Sequence, residues 1–418
     1  MSLAGVVATT VPLDHRRARL ARLQPRAGSD GDGLPASLPD DGIAWITGER
    51  ALVAWGRVAS IRPGMGEARF AVAASEVRRI LSGLRVRNEV GGWGTGPLAF
   101  GAFSFDGESP ASELVVPATV VGCDAKRAWR TTIGAPNAPE SPVPLEAPAA
   151  RRVNDPAAAE RWLEAVGAAR ASVREGSLDK VVLARSVVVE GERPFSLPLV
   201  AATLARRYPQ CFTYAFEGLV GASPELLVRR TGPQVESVVL GGSAPRGRTR
   251  AEDAALGRRL VASAKDRSEH DLALATVREA LGQVCAGLDV EPRPSLLRLA
   301  NVQHLCTRVA GSANGRLGAL ELVGALHPTA ATCGVPTDAA LAAIRDLEGL
   351  DRGRYCGPVG WVDGRGDGEW AIALRCAELS GSVARLFAGA GIVADSDPAA
   401  ELAETELKLR PLLQALGA

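Results

Sequence analysis

The chain has 418 residues, of which 46% are hydrophobic and 23% charged, as in ordinary soluble proteins with one large domain or two to three smaller ones. Its 48 lysines and arginines balance 47 acidic residues and only 4% of its residues are aromatic, so nucleic-acid binding is not expected. No apolar run approaches the roughly 18 residues that a membrane-spanning helix needs, so no membrane association is expected either.

The chain begins without a recognisable secretory signal, because Thr, Pro and Asp interrupt its first 20 residues before a long apolar segment can form. Region 1–133 is rich in glycine and in β-like runs such as IAWITGER, ALVAWGRVAS and PLAFGAFSF. It is predicted to be a β-rich N-terminal part of one fold. Residues 134–154, rich in Pro and Ala, are predicted to be a surface connection. Residues 155–418 are predicted to form the functional region.

The functional region opens with an amphipathic helix, AAAERWLEAVGAARASVREG, with Asp155 as its N-cap and Gly176 at its end. KVVLARSVVV predicts a strand, and SLPLVAATLARRYP predicts a second helix. Three predicted strands follow, namely CFTYAFEG, LVGASPELLVRR and QVESVVLGGS.

The C-terminal half contains two long predicted helices, over 250–286 and 398–416. Between them, GPVGWVDGRGDGEWAIALRCAEL predicts a hairpin that turns at 363–368. Consecutive strands punctuated by long helices predict an α+β fold with large, mostly antiparallel β-sheets and helices packed outside.

The seven cysteines are scattered along the chain and form no Cys-x-x-Cys pair. This distribution predicts reduced thiols and argues against a disulfide framework or a zinc site. Together with the missing secretory signal, it predicts a cytoplasmic protein.

Two acidic stretches, KDRSEHDLA and ELAETELKL, each place two carboxylates three residues apart on a predicted helix. This spacing puts Asp266 and Glu269 on one helical face, and Glu401 and Glu404 on another. A few hard oxygen ligands on separate elements suit Mg²⁺ that is also held by water and a substrate anion. On spacing alone, solvated helix faces are the simpler explanation.

Lys180 and Glu225 lie in apolar sequence and are candidates for acid–base chemistry. Lys180 leads into a strand of Val and Leu, where desolvation can make an amine a general base. Burial within LVGASPELL would raise the pKa of the Glu225 carboxyl and suit a general acid. Each could equally be a surface residue, Lys180 at a strand end and Glu225 beside a turn.

Other segments could hold an anionic substrate. GGSAPRGRT and AGAG offer unobstructed backbone N–H groups. Arg375 and Lys408 could pair with carboxylates. His304 and His327 are further candidates, although a lone histidine is more often a structural residue.

Taken in order, these segments resemble the chorismate-utilising enzymes: isochorismate synthases, salicylate synthases, anthranilate synthase component I and aminodeoxychorismate synthase component I. The resemblance covers residues 155–413 and includes LDKVVLAR, LVGASPELL, LGGSAPRG, SAKDRSEHDL, NVQHLCT, LHPTAATCGVP, RYCGPVGW, ALRCAEL and FAGAGIVADSDPAAELAETELKL. It implies the fold of anthranilate synthase component I and a Mg²⁺-dependent site for chorismate.

The resemblance also implies residue roles. Glu269 and Glu401 would be the metal ligands, with Asp266 and Glu404 in support. Seven residues would bind the substrate: Gly242, Ser243, His304, Tyr355, Arg375, Gly391 and Lys408.

Residue identities within the family distinguish its reactions. Members that use ammonia typically carry Gln where this chain has Lys180, so Lys180 implies activation of water. Aminodeoxychorismate synthases often carry a nucleophilic Lys where this chain has Gly241, so a covalent route is not expected. The resemblance therefore implies an isochorismate synthase, with Lys180 as general base for water attack at C2 and Glu225 as general acid for the departing C4 hydroxyl.

A salicylate synthase, which would go on to eliminate pyruvate, is the alternative, although GASPELL and LGGSA are closer to isochorismate synthases. No amidotransferase subunit is expected, and we expect a monomer. Menaquinone, siderophore and other salicylate-derived pathways all remain open as destinations of the product.

Overall fold

The computed structural model describes residues 3, 5–14, 38–39, 41–134, 147–315 and 317–418. Its first nine strands are β1 (Val7–Leu13), β2 (Ile43–Thr47), β3 (Arg50–Trp55), β4 (Ala59–Ile61), β5 (Arg85–Asn88), β6 (Leu98–Ala102), β7 (Glu113–Val116), β8 (Thr119–Cys123) and β9 (Ala128–Ile133). The later strands are β10 (Ala150–Arg152), β11 (Lys180–Gly191), β12 (Phe212–Phe216), β13 (Leu219–Ser223), β14 (Leu226–Thr231), β15 (Gln234–Pro245), β16 (Cys285–Val290), β17 (Ser295–Arg298), β18 (Val302–Ala313), β19 (Gly334–Val335), β20 (Pro358–Asp363), β21 (Gly368–Ile372), β22 (Cys376–Ser380) and β23 (Val383–Ile392).

Eight helices accompany these strands in the described residues. They are α1 (Arg69–Ser82), α2 (Ala158–Arg174), α3 (Leu197–Arg207), α4 (Arg250–Ala262), α5 (Ala264–Val284), α6 (Ala319–Leu326), α7 (Thr337–Leu347) and α8 (Pro398–Leu416). No helix in the described part of the chain is long and apolar enough to cross a membrane.

The strands form two large sheets. The first runs β10-β11-β23-β22-β13-β12-β2-β3-β8-β9-β1-β5, with β19 beside β11, and the second runs β16-β18-β15-β14-β21-β20-β6-β7-β4, with β17 beside β18. The β1–β5 pair is parallel, and the other strand pairs of the described residues are antiparallel. The predicted α+β class with large antiparallel sheets is therefore confirmed.

The core has three apolar layers. One cluster lies between the sheets, where Trp45 and Phe100 are both buried, and it extends under α2 and α7 through Trp162 and Ile344. A second cluster joins the first sheet to α3 and α8, and a third joins the second sheet to α1, α5 and α6. Helices α3 and α8 thus cover the outer face of the first sheet, and α1, α5 and α6 cover that of the second.

Both sheets contain strands from before and after the predicted connection at 134–154. Most of that connection, residues 135–146, lies outside the described residues. The boundaries of the proposed regions therefore stay a prediction. All seven cysteines lie in described segments, and none of them forms a disulfide bond there.

Two predicted helix boundaries need correction. The first helix of the functional region has Ala157 as its N-cap, while the Asp155 side chain instead accepts a hydrogen bond from the Ala157 backbone N–H at 3.2 Å. The predicted helix over 250–286 is two helices. Ser263 interrupts it with extended backbone at ψ 119°, and its side chain accepts from the Asp266 N–H at 3.2 Å to cap α5.

The segment LVGASPELLVRR was predicted to be one strand, and this is wrong. It forms β13 in the first sheet and β14 in the second, because the chain crosses between the sheets at Pro224 and Glu225. The hairpin of β20 and β21 does turn at 363–368 as predicted, closed by a hydrogen bond from the Asp363 N–H to the Asp367 carbonyl at 2.8 Å.

Candidate active site

One cavity of about 100 Å³ collects side chains from β11, β15, β18, β23, α5, α8 and the crossing between β13 and β14. Twelve of the thirteen residues predicted as site residues line it: Glu225, Gly242, Ser243, Asp266, Glu269, His304, Tyr355, Arg375, Gly391, Glu401, Glu404 and Lys408. The exception is Lys180. The tertiary structure therefore brings together residues that are up to 183 positions apart in the chain, from Glu225 to Lys408.

Lys180 lies directly behind the cavity wall. Its side chain is 1% exposed, and its Nζ lies 3.0 Å from Oε1 of Glu269. Gly391 covers it from β23, where an added Cβ would lie 2.9 Å from Cε of Lys180 and 2.5 Å from Oε1 of Glu269. A larger residue at position 391 would push the ends of the Lys180 and Glu269 side chains aside.

Glu225 is buried where the chain crosses between the sheets. Burial raises the pKa of its carboxyl to about 7, although a hydrogen bond from the Leu240 backbone and the charges of Lys180 and Lys408 oppose this shift. A carboxyl with this pKa carries its proton in about half of the molecules at neutral pH and in more of them below it, so it can donate a proton.

Each acidic stretch has one carboxylate in the first turn of a helix, Asp266 in α5 and Glu401 in α8. Ser263 caps α5 just before Asp266, and Asp397 caps α8 by accepting from the Ala400 N–H at 2.8 Å, which places Glu401 in the first turn. Carboxylates are stabilised at these ends by the helix dipole. The capping residues therefore direct two acidic helix ends at the cavity.

Three glutamates of the site each pair with a lysine. Besides the Lys180–Glu269 pair, Lys265 Nζ lies 3.0 Å from Glu401 Oε1, and Lys408 Nζ lies 2.7 Å from Glu404 Oε1. Lys408 also donates to the Gly389 carbonyl at 2.8 Å. The negative charge that the sequence concentrates here is thus balanced by primary amines.

The donor chemistry of this set fits Mg²⁺. Burial raises the pKa values of Asp266 and Glu401, and in each case a neighbouring carboxylate adds to the shift. A divalent cation would offset both effects, and carboxylate oxygens are the ligands that it prefers. No three His, Cys, Asp or Glu side chains of the described residues form a complete metal cluster, so the remaining positions would fall to water and substrate.

His304 orients a cationic wall of the cavity. Its Nδ1 donates to the Gly242 carbonyl at 3.0 Å, which leaves Nε2 to accept from Nη2 of Arg375 at 3.2 Å. Burial and the charge of Arg375 lower the pKa of His304 to about 3, so the ring is neutral. Gly242 has φ of +57° and Arg375 has φ of +50°, in the left-handed region. The His304 ring therefore links Gly242 to Arg375, two residues with left-handed backbone, through one hydrogen bond to each.

Tyr355 and Ser243 complete the predicted set. The Tyr355 ring stacks on Phe387, with 5.1 Å between the centroids and 9° between the planes. The Ser243 hydroxyl lies 3.2 Å from Nδ1 of His304. His327, in contrast, is absent from the cavity lining, and its Nε2 contacts the Phe105 carbonyl at 2.9 Å. It is a partly buried residue outside the site.

Sequence reasoning missed two features of the site. Lys265 lines the cavity, and its only signal was its position next to Asp266. The second feature is an ion pair of Arg352 with Glu348, whose side chains are 3% and 1% exposed. In sequence the pair looks like an ordinary i, i+4 surface pair, because burial leaves no local pattern.

The Arg352–Glu348 pair makes hydrogen bonds to strand β11 and to a second segment of the cavity wall. Arg352 donates to the Val182 carbonyl at 2.7 Å and to the Thr332 carbonyl at 2.8 Å, and both acceptor residues line the cavity. Glu348 accepts from the Ala184 N–H at 2.8 Å. The pair thus provides hydrogen-bond partners for the backbone groups of Val182 and Ala184 on β11, close to Lys180.

Comparisons with known proteins agree with this geometry. The family model described as "Chorismate binding enzyme" matches residues 124–417. A Mycobacterium tuberculosis protein provisionally named isochorismate synthase MenF is 42% identical over 340 residues, which span 78% of this chain and 87% of that protein. The salicylate biosynthesis isochorismate synthase of Pseudomonas aeruginosa is 43% identical over 286 residues, or 65% of this chain and 58% of that one. A crystal structure from Bacillus anthracis, provisionally titled 2,3-dihydroxybenzoate-specific isochorismate synthase DhbC, aligns with a TM-score of 0.77 and 32% identity over 91% of this chain and 97% of that one.

Proposed function

The chain belongs to the chorismate-binding enzyme family, and we propose that it is an isochorismate synthase, a Mg²⁺-dependent isomerase that converts chorismate into isochorismate. The matches confirm the family that was predicted from the sequence. The observation that carries the proposal is the cavity itself, where Glu225, with a pKa of about 7, lines the same space as the acidic ends of two helices. Glu269 on one of these helices is paired with the buried Lys180.

Chorismate carries two carboxylates, and the cavity offers matching cations. Arg375 is held in place by His304, and Lys408 extends from α8 toward β23. Charge-assisted contacts from these side chains would hold the substrate, with Tyr355 and backbone groups at Gly242 and Gly391 in support. Glu269 and Glu401, supported by Asp266 and Glu404, would hold Mg²⁺, which would supply positive charge to anchor the ring carboxylate.

The isomerisation adds one water and releases another. Lys180 accepts a proton from the incoming water as its oxygen forms a bond to ring C2. The ring double bonds shift, the C4–O bond breaks, and the protonated Glu225 gives its proton to the departing hydroxyl. The released water balances the one that was added, so the product is an isomer of chorismate.

Lys180 can act only if its amine is released from Glu269. The two are paired at 3.0 Å, and Glu269 is also proposed as a metal ligand. An ammonium cannot accept a proton, so Lys180 must also give up the extra proton of this ion pair before it can act as a base. Engagement of Glu269 in metal binding would take its carboxylate out of the pair and would leave a neutral amine free to contact the attacking water. The pair would therefore link assembly of the site to activation of the base.

A covalent lysine route is disfavoured by the packing at Gly241. An added Cβ there would lie 2.8 Å from Cα of His270, so a lysine would not fit without backbone movement. Lys180, in the position where ammonia-using relatives typically carry Gln, favours water as the nucleophile. We therefore propose that the enzyme acts without an amidotransferase subunit.

The test is incubation of the purified protein with chorismate and Mg²⁺, followed by chromatography of the products. Isochorismate as the product supports the proposal. Salicylate and pyruvate formed without an added lyase would make it a salicylate synthase. An aminated product that depends on ammonia would overturn the proposal. A Glu225→Gln variant is the matched control, because it keeps the shape of the cavity and removes the proton donor.

A further inference from the structure

The chain uses lysine very sparingly. Only four of its 48 basic residues are lysines: Lys126, Lys180, Lys265 and Lys408. The last three meet in the candidate site, each paired with a glutamate. Surface ion pairs elsewhere use arginine, for example Arg152 with Glu406. Lysine thus occurs mainly where the site needs a compact amine on a flexible stem.

The three site lysines differ in their freedom to move. The Lys180 side chain is 1% exposed, that of Lys408 is 18% exposed, and that of Lys265 is 40% exposed. Lys408 has a second partner in the Gly389 carbonyl, whereas among the described residues the Lys265 amine has a single hydrogen-bond partner, Glu401. Lys265 is therefore the amine that can leave its glutamate at the lowest cost.

We propose that Lys265 is a displaceable counter-ion, which occupies the Glu401 carboxylate until a divalent cation takes its place, and so sets the affinity of the site for that cation. This inference rests on the proposed function, in which Glu401 is a metal ligand. The Lys265 amine lies 3.0 Å from Oε1 of Glu401, so a cation on that oxygen and the ammonium would repel each other strongly. Lys265 must turn toward solvent for the cation to bind.

The same reasoning explains why lysine is kept at position 265 in an arginine-rich chain. An arginine would bind the Glu401 carboxylate through two parallel hydrogen bonds and would be harder to displace. An uncharged residue would leave Glu401, which is 3% exposed, without a counter-charge before the cation arrives. A lysine balances the charge of Glu401 and can still be displaced by the cation.

The first experiment is calorimetric titration of Mg²⁺ alone into the full-length protein and its variants. Lys265→Met should bind Mg²⁺ about fivefold more tightly than the wild type, the factor that a partly exposed ion pair is worth. Lys265→Arg should bind more weakly, and Lys126→Met, which alters the lysine outside the site, should match the wild type. An unchanged or weaker affinity in Lys265→Met overturns the proposal.

A second experiment uses only the wild-type protein, so its result does not depend on whether a variant folds. Each lysine is acylated with an N-hydroxysuccinimide ester, and the modification is measured by peptide mass spectrometry. Saturating Mg²⁺ should accelerate acylation at Lys265 and leave Lys126 unchanged. Acylation of Lys265 at the same rate with and without Mg²⁺ would refute the displacement.

Failure of this inference can be told apart from failure of the proposed function. Suppose the wild type converts chorismate and Glu401→Gln loses Mg²⁺ binding, but Lys265→Met binds Mg²⁺ as the wild type does. Only the counter-ion role is then refuted. If Glu401→Gln binds Mg²⁺ normally, the proposed metal site is wrong, and the counter-ion role is refuted with it.

Discussion

Lys180 and Glu269 form an ion pair across the wall of the cavity, with 3.0 Å between Nζ and Oε1. Lys180 begins β11 of the first sheet and Glu269 lies on α5, which packs on β15 of the second, so the pair joins the two sheets behind the cavity. It also joins the proposed base to a proposed metal ligand. The chemistry of either residue therefore depends on the other.

Replacing Lys180 tests the proposed base. Lys180→Ala should lower turnover by about 10²- to 10⁴-fold, the usual contribution of a general base, and leave chorismate affinity within a few-fold of the wild type. Chromatography of isochorismate measures turnover, and calorimetry measures binding. Lys126→Ala serves as the control and should alter neither. Full activity in Lys180→Ala would rule out the general-base role.

Replacing Glu269 tests the proposed metal site. Glu269→Gln removes an anionic oxygen, so the Mg²⁺ concentration for half-maximal activity should rise about tenfold or more. Glu279→Gln alters an exposed glutamate on the same helix and should leave the titration unchanged. A wild-type Mg²⁺ titration in Glu269→Gln would show that Glu269 is not a ligand.

The pH dependence of turnover tests the proposed acid. Glu225 must be protonated to donate, and its pKa is raised to about 7, so kcat should fall as pH rises through that value. Glu225→Gln should lower kcat about 10²- to 10⁴-fold and lose this descending limb. Constant kcat between pH 7 and 9 in the wild type would contradict the assignment.

The same group affects stability with a defined sign. Its folded-state pKa of about 7 exceeds the ordinary value of 4.5, so the folded protein binds the proton more tightly. The stabilisation from Glu225 is complete below pH 4.5 and is lost as pH rises toward 7. Denaturation of Glu225→Gln should show a smaller pH dependence across this window than the wild type.

His304 should act through Arg375 and not as an acid or base. Its pKa is lowered to about 3, so the ring stays neutral during turnover. His304→Asn should raise KM for chorismate about tenfold, the worth of one charge-assisted contact, and leave the pH profile of kcat unchanged. His327→Asn, which alters a partly buried histidine outside the cavity, should keep KM. Loss of a pH limb in His304→Asn would instead indicate proton transfer.

The buried pair of Arg352 and Glu348 should contribute strongly to stability. Arg352→Met leaves Glu348 uncompensated and removes donors to Val182 and Thr332, at a cost of about 3–5 kcal/mol in unfolding free energy. Arg151→Met disrupts a pair whose side chains are 76% and 45% exposed and should cost less than about 1 kcal/mol. Equal urea denaturation midpoints for the two variants would contradict this difference.

Local patterns predicted most of the strands and helices, but two errors show their limit. Residues 250–286 have a helical composition, yet the Ser263 side chain starts a new helix in their middle. LVGASPELLVRR has the composition of one strand, yet Glu225 lies in a crossing between sheets. Local composition signals neither break. The first depends on a single capping hydrogen bond, and the second depends on which sheet each half of the segment joins.

The sequence by itself determined the fold class, the residue types of the site and the family, because these depend on ordered motifs and on periodicities of a few residues. Only the tertiary structure decided which charges meet. Lys265 and Glu401 are 136 positions apart, and the burial of Lys180 beneath Glu269 and Gly391 depends on two sheets and a helix packing together. Coulomb interactions and desolvation act through space, so no local pattern in the chain encodes them.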